Sequence, residues 1–171
     1  MAIIRSKKLI LRQFRKGDEK FLMKVLNDKS IYNFTTHIPY PYRHNDAKKW
    51  VQKCIRNSRK RKNKMFSFAI EMNGDIVGEI GLRAKNHRAE IGYWIAKSHR
   101  NKGIATEALC LVTKYALERM KLTRITAHIF SQNKASASVL KKNGYRLEGR
   151  LRKHYLKDGK FYDSLLYSKV R

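Results

Sequence analysis

The chain has 171 residues, 42% of them hydrophobic and 11% aromatic, which is enough apolar material for one packed domain and too much for a disordered chain. Lys and Arg number 40 against 13 Asp and Glu, a formal net charge of +27 that favours anionic partners such as nucleic acid or phosphorylated cofactors and says nothing about fold. Its two cysteines, Cys54 and Cys110, lack metal-ligand spacing, so neither a metal nor a disulfide framework is expected and a reducing cytoplasm suits the chain. Met1 to Lys8 holds no long apolar run, so no secretory signal is expected. No stretch approaches the roughly 18 apolar residues of a membrane span.

In chain order, residues 9–14 read as a first strand. Gly17-Asp18 opens a helix with Phe21, Leu22, Val25 and Leu26 at helical spacing. A loop from about Asp28 to His44 follows; its aromatics Tyr32, Phe34, Tyr40 and Tyr42, stiffened by Pro39 and Pro41, suit either a tucked loop or the wall of an acceptor pocket. Asn45 or Asp46 caps a second helix carrying Trp50, Val51, Cys54 and Ile55 on one face. Its end, Lys53 to Lys64, holds seven Lys/Arg and no acid, a run that fits a solvated helix end or a polyanion contact.

Three strands come next: Met65 to Met72, Ile76 to Ala84 after the hairpin turn Asn73-Gly74, and Glu90 to Ile95. A long amphipathic helix runs from Ile104 to Lys121, and Arg124 to Phe130 is a strand. Asn133 caps a short helix over Lys134–Asn143 that Gly144 stops, and Tyr145 to Lys157, Asp158-Gly159 and Phe161 to Val170 form a closing hairpin. The order β-α-α-β-β-β-α-β-α-β-β predicts an α/β fold in one domain over 1–171, with a central mixed sheet and helices on both faces.

The junction between Ile95 and Ile104 is the most informative. A strand that feeds a helix N-terminus through a loop with Gly103 leaves several backbone N–H groups unpaired, and with the helix dipole these make an anion site. Arg100 and Lys102 add charge, Gly103 allows close approach, and Ala105 keeps the first turn open. The loop has neither a Walker ending nor a dinucleotide fingerprint.

Ala89-Glu90-Ile91-Gly92-Tyr93-Trp94-Ile95 followed by Arg100-Asn101-Lys102-Gly103-Ile104-Ala105 resembles the GNAT superfamily of N-acetyltransferases in its Arg/Gln-x-x-Gly-x-Gly/Ala signature. The block from Asn133 through Ser136 to Gly144-Tyr145 resembles that family's later Asn motif. Gly78-Glu79-Ile80-Gly81-Leu82, Ile38 to Tyr42, Glu148 to Tyr155, Asp158-Gly159 and Tyr162-Asp163 are similar to the branch of the ribosomal-protein acetyltransferases RimJ and RimL. The resemblance implies a GNAT fold in which the strand at 89–95 splays from that at 124–130. It also implies acetyl-CoA as donor, with its arm against Trp94, Ile95 and Ala96 and its pyrophosphate on amides 101–106, including Ile104 and Thr106. Asn133 would contact the arm, and the Ile95 N–H would hold negative charge developing on a carbonyl oxygen.

The chemistry so implied is direct attack of a primary amine on a thioester in a ternary complex, and a protonated amine needs a base. Glu90 is the first candidate, matching the family's strand-four glutamate, with burial expected to raise its pKa. Glu79 on the adjacent strand is the second. His128 is the third, where the RimI branch carries its catalytic glutamate. The thiolate needs a proton donor. Many relatives use a tyrosine where this chain has Leu140; the RimJ/RimL branch points to Ser136 instead, and Tyr145 reads as packing.

Three functions follow as expectations. The acceptor is a protein N-terminal amine, such as that of a ribosomal protein, with the basic surface touching the ribosome or RNA. Alternatively it is a small amine (polyamine, aminoglycoside or amino-acid derivative), or the chain is a nucleic-acid-binding protein on this fold without turnover. A chain of +27 repels basic acceptors, which weighs against polycations and against basic proteins not bridged by RNA. No membrane partner is expected, and relatives often pair as homodimers.

Overall fold

The computed structural model describes residues 3–59 and 64–171. Within the basic run, Lys60, Arg61 and Lys62 therefore lie outside the described residues, as do Met1 and Ala2 of the leading segment. Eight strands form one sheet in the order β1-β2-β3-β4-β5-β6-β8-β7. They are β1 (Ile4–Arg5), β2 (Ile10–Gln13), β3 (Met65–Met72), β4 (Asp75–Lys85), β5 (Arg88–Ile95), β6 (Arg124–Phe130), β7 (Arg146–Lys157) and β8 (Lys160–Val170). Every neighbouring pair is antiparallel except β5 and β6, which are parallel and joined through a helix, so the sheet is mixed as expected.

Helices cover both faces. On one face α1 (Glu19–Leu26) and α3 (His44–Ser58) bury Leu22, Leu26, Ala47 and Val51 against Ala69, Ile76 and Trp94. On the other, α4 (Ile104–Lys114) and α5 (Lys134–Lys142) bury Ala108, Leu109, Val112 and Leu140 against Phe68, Ile80, Ile91 and Ile125. Alternation of side chains along each strand feeds the two cores, which is why the central strands are apolar on successive residues.

Four details differ from the sequence expectation. A short strand β1 pairs with β2, and the presumed loop after Asp28 begins with a helical turn, α2 (Lys29–Tyr32), capped by Asp28 through the Ser30 N–H. Helix α3 starts at His44 with Arg43 as its N-cap. Asp46 therefore lies inside the first turn and reaches back to accept the Arg43 N–H (2.9 Å), while Asn45 caps nothing. The long helix stops being α-helical at Lys114 and continues as a wider π turn over Tyr115–Arg119, where Tyr115 meets Phe68 edge-on at 6.3 Å.

Candidate active site

Parallel pairing of β5 with β6 covers only Arg88–Glu90 against Arg124–Thr126. Beyond it the two strands part, as the splay expected for them. The Ala96 N–H donates to the Val77 carbonyl (2.9 Å), and Ile95 lies opposite Gly78. The alternation of an antiparallel ladder then turns the Ile95 N–H away from β4 and into the gap. Trp94 and Ala96 spend their N–H groups on β4, so of the three backbone positions expected to meet a ligand arm, Ile95 alone offers its amide. The gap opens a cavity of about 720 Å³ that passes through the sheet, within the size range of small-molecule sites.

At one end of the cavity is the start of α4. Asn101 and Gly103 both have left-handed backbone (φ 61° and 76°), and Gly103 is the N-cap. A Cβ placed on Gly103 would meet nothing within 4 Å, so the space in front of the turn is open. The Glu107 N–H makes a helical bond to Gly103 O, leaving the amides of Ile104, Ala105 and Thr106 without helical partners. These amides, with the helix dipole, form an anion cradle lined also by Asn101 and Gly103.

Arg100 does not lend its guanidinium to that cradle. Its Nε donates to the Ile95 carbonyl (3.1 Å), Nη1 to Ser30 Oγ (2.7 Å) and Nη2 to Asp28 (3.4 Å), so it braces the loop against α2. Lys102 is exposed and does not line the cavity. On the opposite wall Asn133 caps α5, its Oδ1 accepting the Ser136 N–H (3.0 Å), and both residues line the cavity. Tyr93, which sequence reasoning passed over, lines it too and donates to the Ser136 carbonyl (3.4 Å). Burial pushes its phenol up to about 12. Leu140 is fully buried, and Tyr145 is buried with its hydroxyl paired to Thr113 (2.8 Å), a packing role as expected.

The other end of the cavity is acidic at its centre. Glu79 lies opposite Trp94 across β4 and β5 and accepts the Trp94 Nε1–H (3.2 Å). The Trp50 Nε1 is buried beside it without a hydrogen bond of normal geometry, yet close enough to favour the carboxylate's charge. The Ser67 hydroxyl also favours the charge, but burial outweighs all these donors and pushes the Glu79 carboxyl up to about 7. Glu90 also lines the cavity, on the face of Gly92 and Trp94, but it is exposed, so the burial expected for it is not found. His128 lines the cavity with its Nδ1 buried and unpartnered; it stacks on His154 at 5.2 Å, and burial lowers its pKa.

Among the described residues, the ion pairs engage Asp18, Asp28, Glu71, Glu148 and Asp163. Neither Glu79 nor Glu90 has an ion-pair partner among them. In so cationic a chain, two unneutralised carboxylates in one cavity need a reason.

The aromatic loop divides. Phe34 lines the cavity and meets Phe130 edge-on at 6.2 Å. Tyr42 is buried in the α1–α3 core with its phenol pushed up by burial, and is not a cavity wall. Tyr32 and Tyr40 pack on each other at 5.6 Å outside the lining. The Tyr32 hydroxyl donates to Asp158 (2.6 Å), while Lys157 donates to the Thr35 carbonyl (2.8 Å) and lies 3.3 Å over the Tyr32 ring. The β7–β8 turn is thus clasped to the loop after α2. His37, Trp50, Arg83 and Tyr155 also line this end; sequence reasoning missed them as site residues because they come from four separate segments.

The family model described as Acetyltransferase (GNAT) domain matches residues 8–146. The chain is 39% identical over 100 residues to Uncharacterized N-acetyltransferase YoaA of Bacillus subtilis (strain 168), a match spanning 57% of this chain and 56% of that protein. It is 29% identical over 128 residues to Ribosomal-protein-serine acetyltransferase of Escherichia coli (strain K12), spanning 73% of this chain and 70% of the other. The solved structure of Mycobacterium smegmatis RimJ in complex with CoA-disulfide superposes with a TM-score of 0.85 at 27% identity, covering 99% of this chain and 86% of that one.

Proposed function

The chain belongs to the GNAT acetyltransferase family, with RimJ- and RimL-like relatives, and from that premise we infer that it is an acetyl-CoA-dependent N-acetyltransferase acting on the N-terminal amine of a protein. The observation that carries the acceptor half of this reading is Glu79: an enclosed carboxylate with no cationic partner, at the point where the Ile95 amide faces the open gap. An unpaired acid there suits an arriving ammonium.

The residues fit the donor. The cradle at 101–106 has room in front of Gly103 for phosphate oxygens, and the parted strands leave a channel from it to Glu79. The donor supplies an acetyl thioester, whose C–S bond breaks as the N–C bond forms. Glu79 takes the first proton from the ammonium, freeing the lone pair. The Ile95 N–H donates to the carbonyl oxygen as it gains charge. The Ser136 hydroxyl, beside the neutral Tyr93 phenol, donates to the departing sulfur, which ends with the amine's second proton. In this reading Glu79 replaces Glu90 as base, because enclosure sets its pKa near neutrality.

Calorimetry with acetyl-CoA and a screen of amine acceptors read by released thiol test the proposal together. Binding of acetyl-CoA, weakened about tenfold or more by Gly103→Val, is the expected donor result, since a branched side chain is strained at positive φ and enters the phosphate's space. Thiol release with peptides bearing a free N-terminus, and none with polyamines, is the expected acceptor result. Absence of acetyl-CoA binding would overturn the proposal.

A further inference from the structure

On the face turned toward α3, β4 and β5 present three cross-strand pairs in register: Glu79 opposite Trp94, Gly81 opposite Gly92, and Arg83 opposite Glu90. The middle pair has no side chains; a Cβ placed on Gly92 would meet nothing within 4 Å, while one on Gly81 would meet the Phe66 carbonyl (3.3 Å) and Ser67 Oγ (3.6 Å). The cavity floor is therefore open over Gly92, with the Ser67 hydroxyl beside Gly81, between an acid at one end and a charged rim at the other. Glu79 and Arg83 stand four residues apart on one strand face, which is about 13 Å.

The far rim is set by Arg83, with His37 beside it in the lining. Arg83 is exposed, lines the cavity and has no ion-pair partner among the described residues, although Glu90 faces it across the strands. His37 lies 6.4 Å from the Trp50 ring, and Lys53 of α3 lies 5.5 Å from that ring, outside the cavity lining. Burial, and then the charges of Arg83 and Lys53, push the His37 imidazole down, while Glu90 opposes them. The rim thus carries one fixed cation, Arg83, faced by Glu90, beside a histidine held toward its neutral form, with Lys53 adding positive charge from outside the lining.

We infer that this trough recognises an acidic peptide N-terminus: the α-amine at Glu79, the peptide backbone laid over Gly81 and Gly92, and a carboxylate from the second or third residue on Arg83. The inference rests on the transferase reading above and names its acceptor class. An extended peptide rising about 3.3 Å per residue, with its acidic side chain added, covers the span. A guanidinium fits a carboxylate through paired donors. An acidic N-terminus also removes the repulsion that a +27 chain imposes on basic acceptors.

The test uses the full chain, acetyl-CoA and three peptides beginning Ser-Ala-Asp, Ser-Ala-Asn and Ser-Ala-Lys, otherwise identical, with kcat/KM read by thiol release. The acidic peptide is expected to exceed its neutral isostere by about tenfold, the scale of one charge-assisted contact, and the lysine peptide by more. Arg83→Gln should collapse the Asp-to-Asn ratio toward about twofold, and Gly92→Val should lower kcat/KM for all three peptides by raising KM. Equal kcat/KM across the series, with thiol released from each, would overturn the trough and leave the transferase standing. Release from none of them, with acetyl-CoA bound, would overturn the protein-acceptor reading as well.

Discussion

Asp18 and Glu71 sit around Arg12, whereas Glu79 has no cation paired with it among the described residues and Glu90 only faces Arg83 across the strands without an ion pair. Arg12 is only 8% exposed; it meets Asp18 through two parallel contacts (2.8 and 3.0 Å) and Glu71 through Nε (2.5 Å), while Asp18 also accepts the Arg15 N–H (2.8 Å). That cluster ties β2 to the start of α1 and to β3, and every charge in it has a partner. A few strands away, Glu79 is enclosed by Trp50 and Trp94 and has only neutral donors, the Trp94 indole (3.2 Å) and the Ser67 hydroxyl among them. The same residue types thus stabilise the fold in one place and weigh against it in the other. A folded protein keeps a carboxylate of the second kind where the partner arrives from outside.

Substitutions sharpen that contrast, and the largest effect belongs to the satisfied cluster. Asp18→Ala leaves a buried guanidinium short of its main partner and is expected to cost about 3 kcal/mol or more in denaturant unfolding. A loss under about 1 kcal/mol would mean the cluster is better solvated than its geometry implies.

Glu79→Gln is expected to do the reverse: lower kcat/KM about a hundredfold, near 2.7 kcal/mol, while raising stability. The sign follows from linkage. Folding raises the Glu79 pKa to about 7, so folding favours the protonated form; the contribution is whole in the acid range and lost as pH rises through about 7. Glutamine escapes that loss, and the variant should gain on the order of 1–3 kcal/mol over the native chain between acid and pH ~8. The native rate should rise with pH through about 7, and this inflection should vanish in the variant. A variant both inactive and less stable at pH ~8 would break the comparison.

Glu90→Gln has the smallest expected effect. Being exposed, Glu90 has little burial to relieve, so stability should change by less than about 0.5 kcal/mol and kcat/KM by less than about tenfold. A drop of about a hundredfold would return the role of base to Glu90.

The sequence is most legible where one short segment completes a structure by itself. Two of the hairpin turns announce themselves, because Asn73-Gly74 and Asp158-Gly159 take positive φ at both positions, whereas the Asn86-His87 turn between β4 and β5 carries no glycine. The turn at the start of α4 is equally local: strand end, left-handed turn and first helical amides lie within about ten residues, and the groups it presents are backbone amides. The acceptor end is different. Glu79 and Glu90 were visible as candidates, but their ranking depended on enclosure by Trp50 and Trp94, which arrive from α3 and β5. Arg100 read as a phosphate ligand because its place in the loop is visible, whereas Asp28 and Ser30, which hold it elsewhere, are seventy residues away. Tyr42 read as pocket wall because an aromatic loop looks alike whether its rings point in or out. Asn45 and Asp46 read as caps because Arg43 has no capping side chain to advertise it.

The clasp between the β7–β8 turn and the loop after α2 has a consequence in time. Lys157 reaches Thr35 across 122 positions, and Asp158 reaches Tyr32 across 126. Contacts that close so long a stretch of chain form late, after the local units they join. The turn and first amides at 101–106 are set within one short segment, whereas the wall at the other end of the cavity is complete only when the final hairpin has docked on the loop after α2.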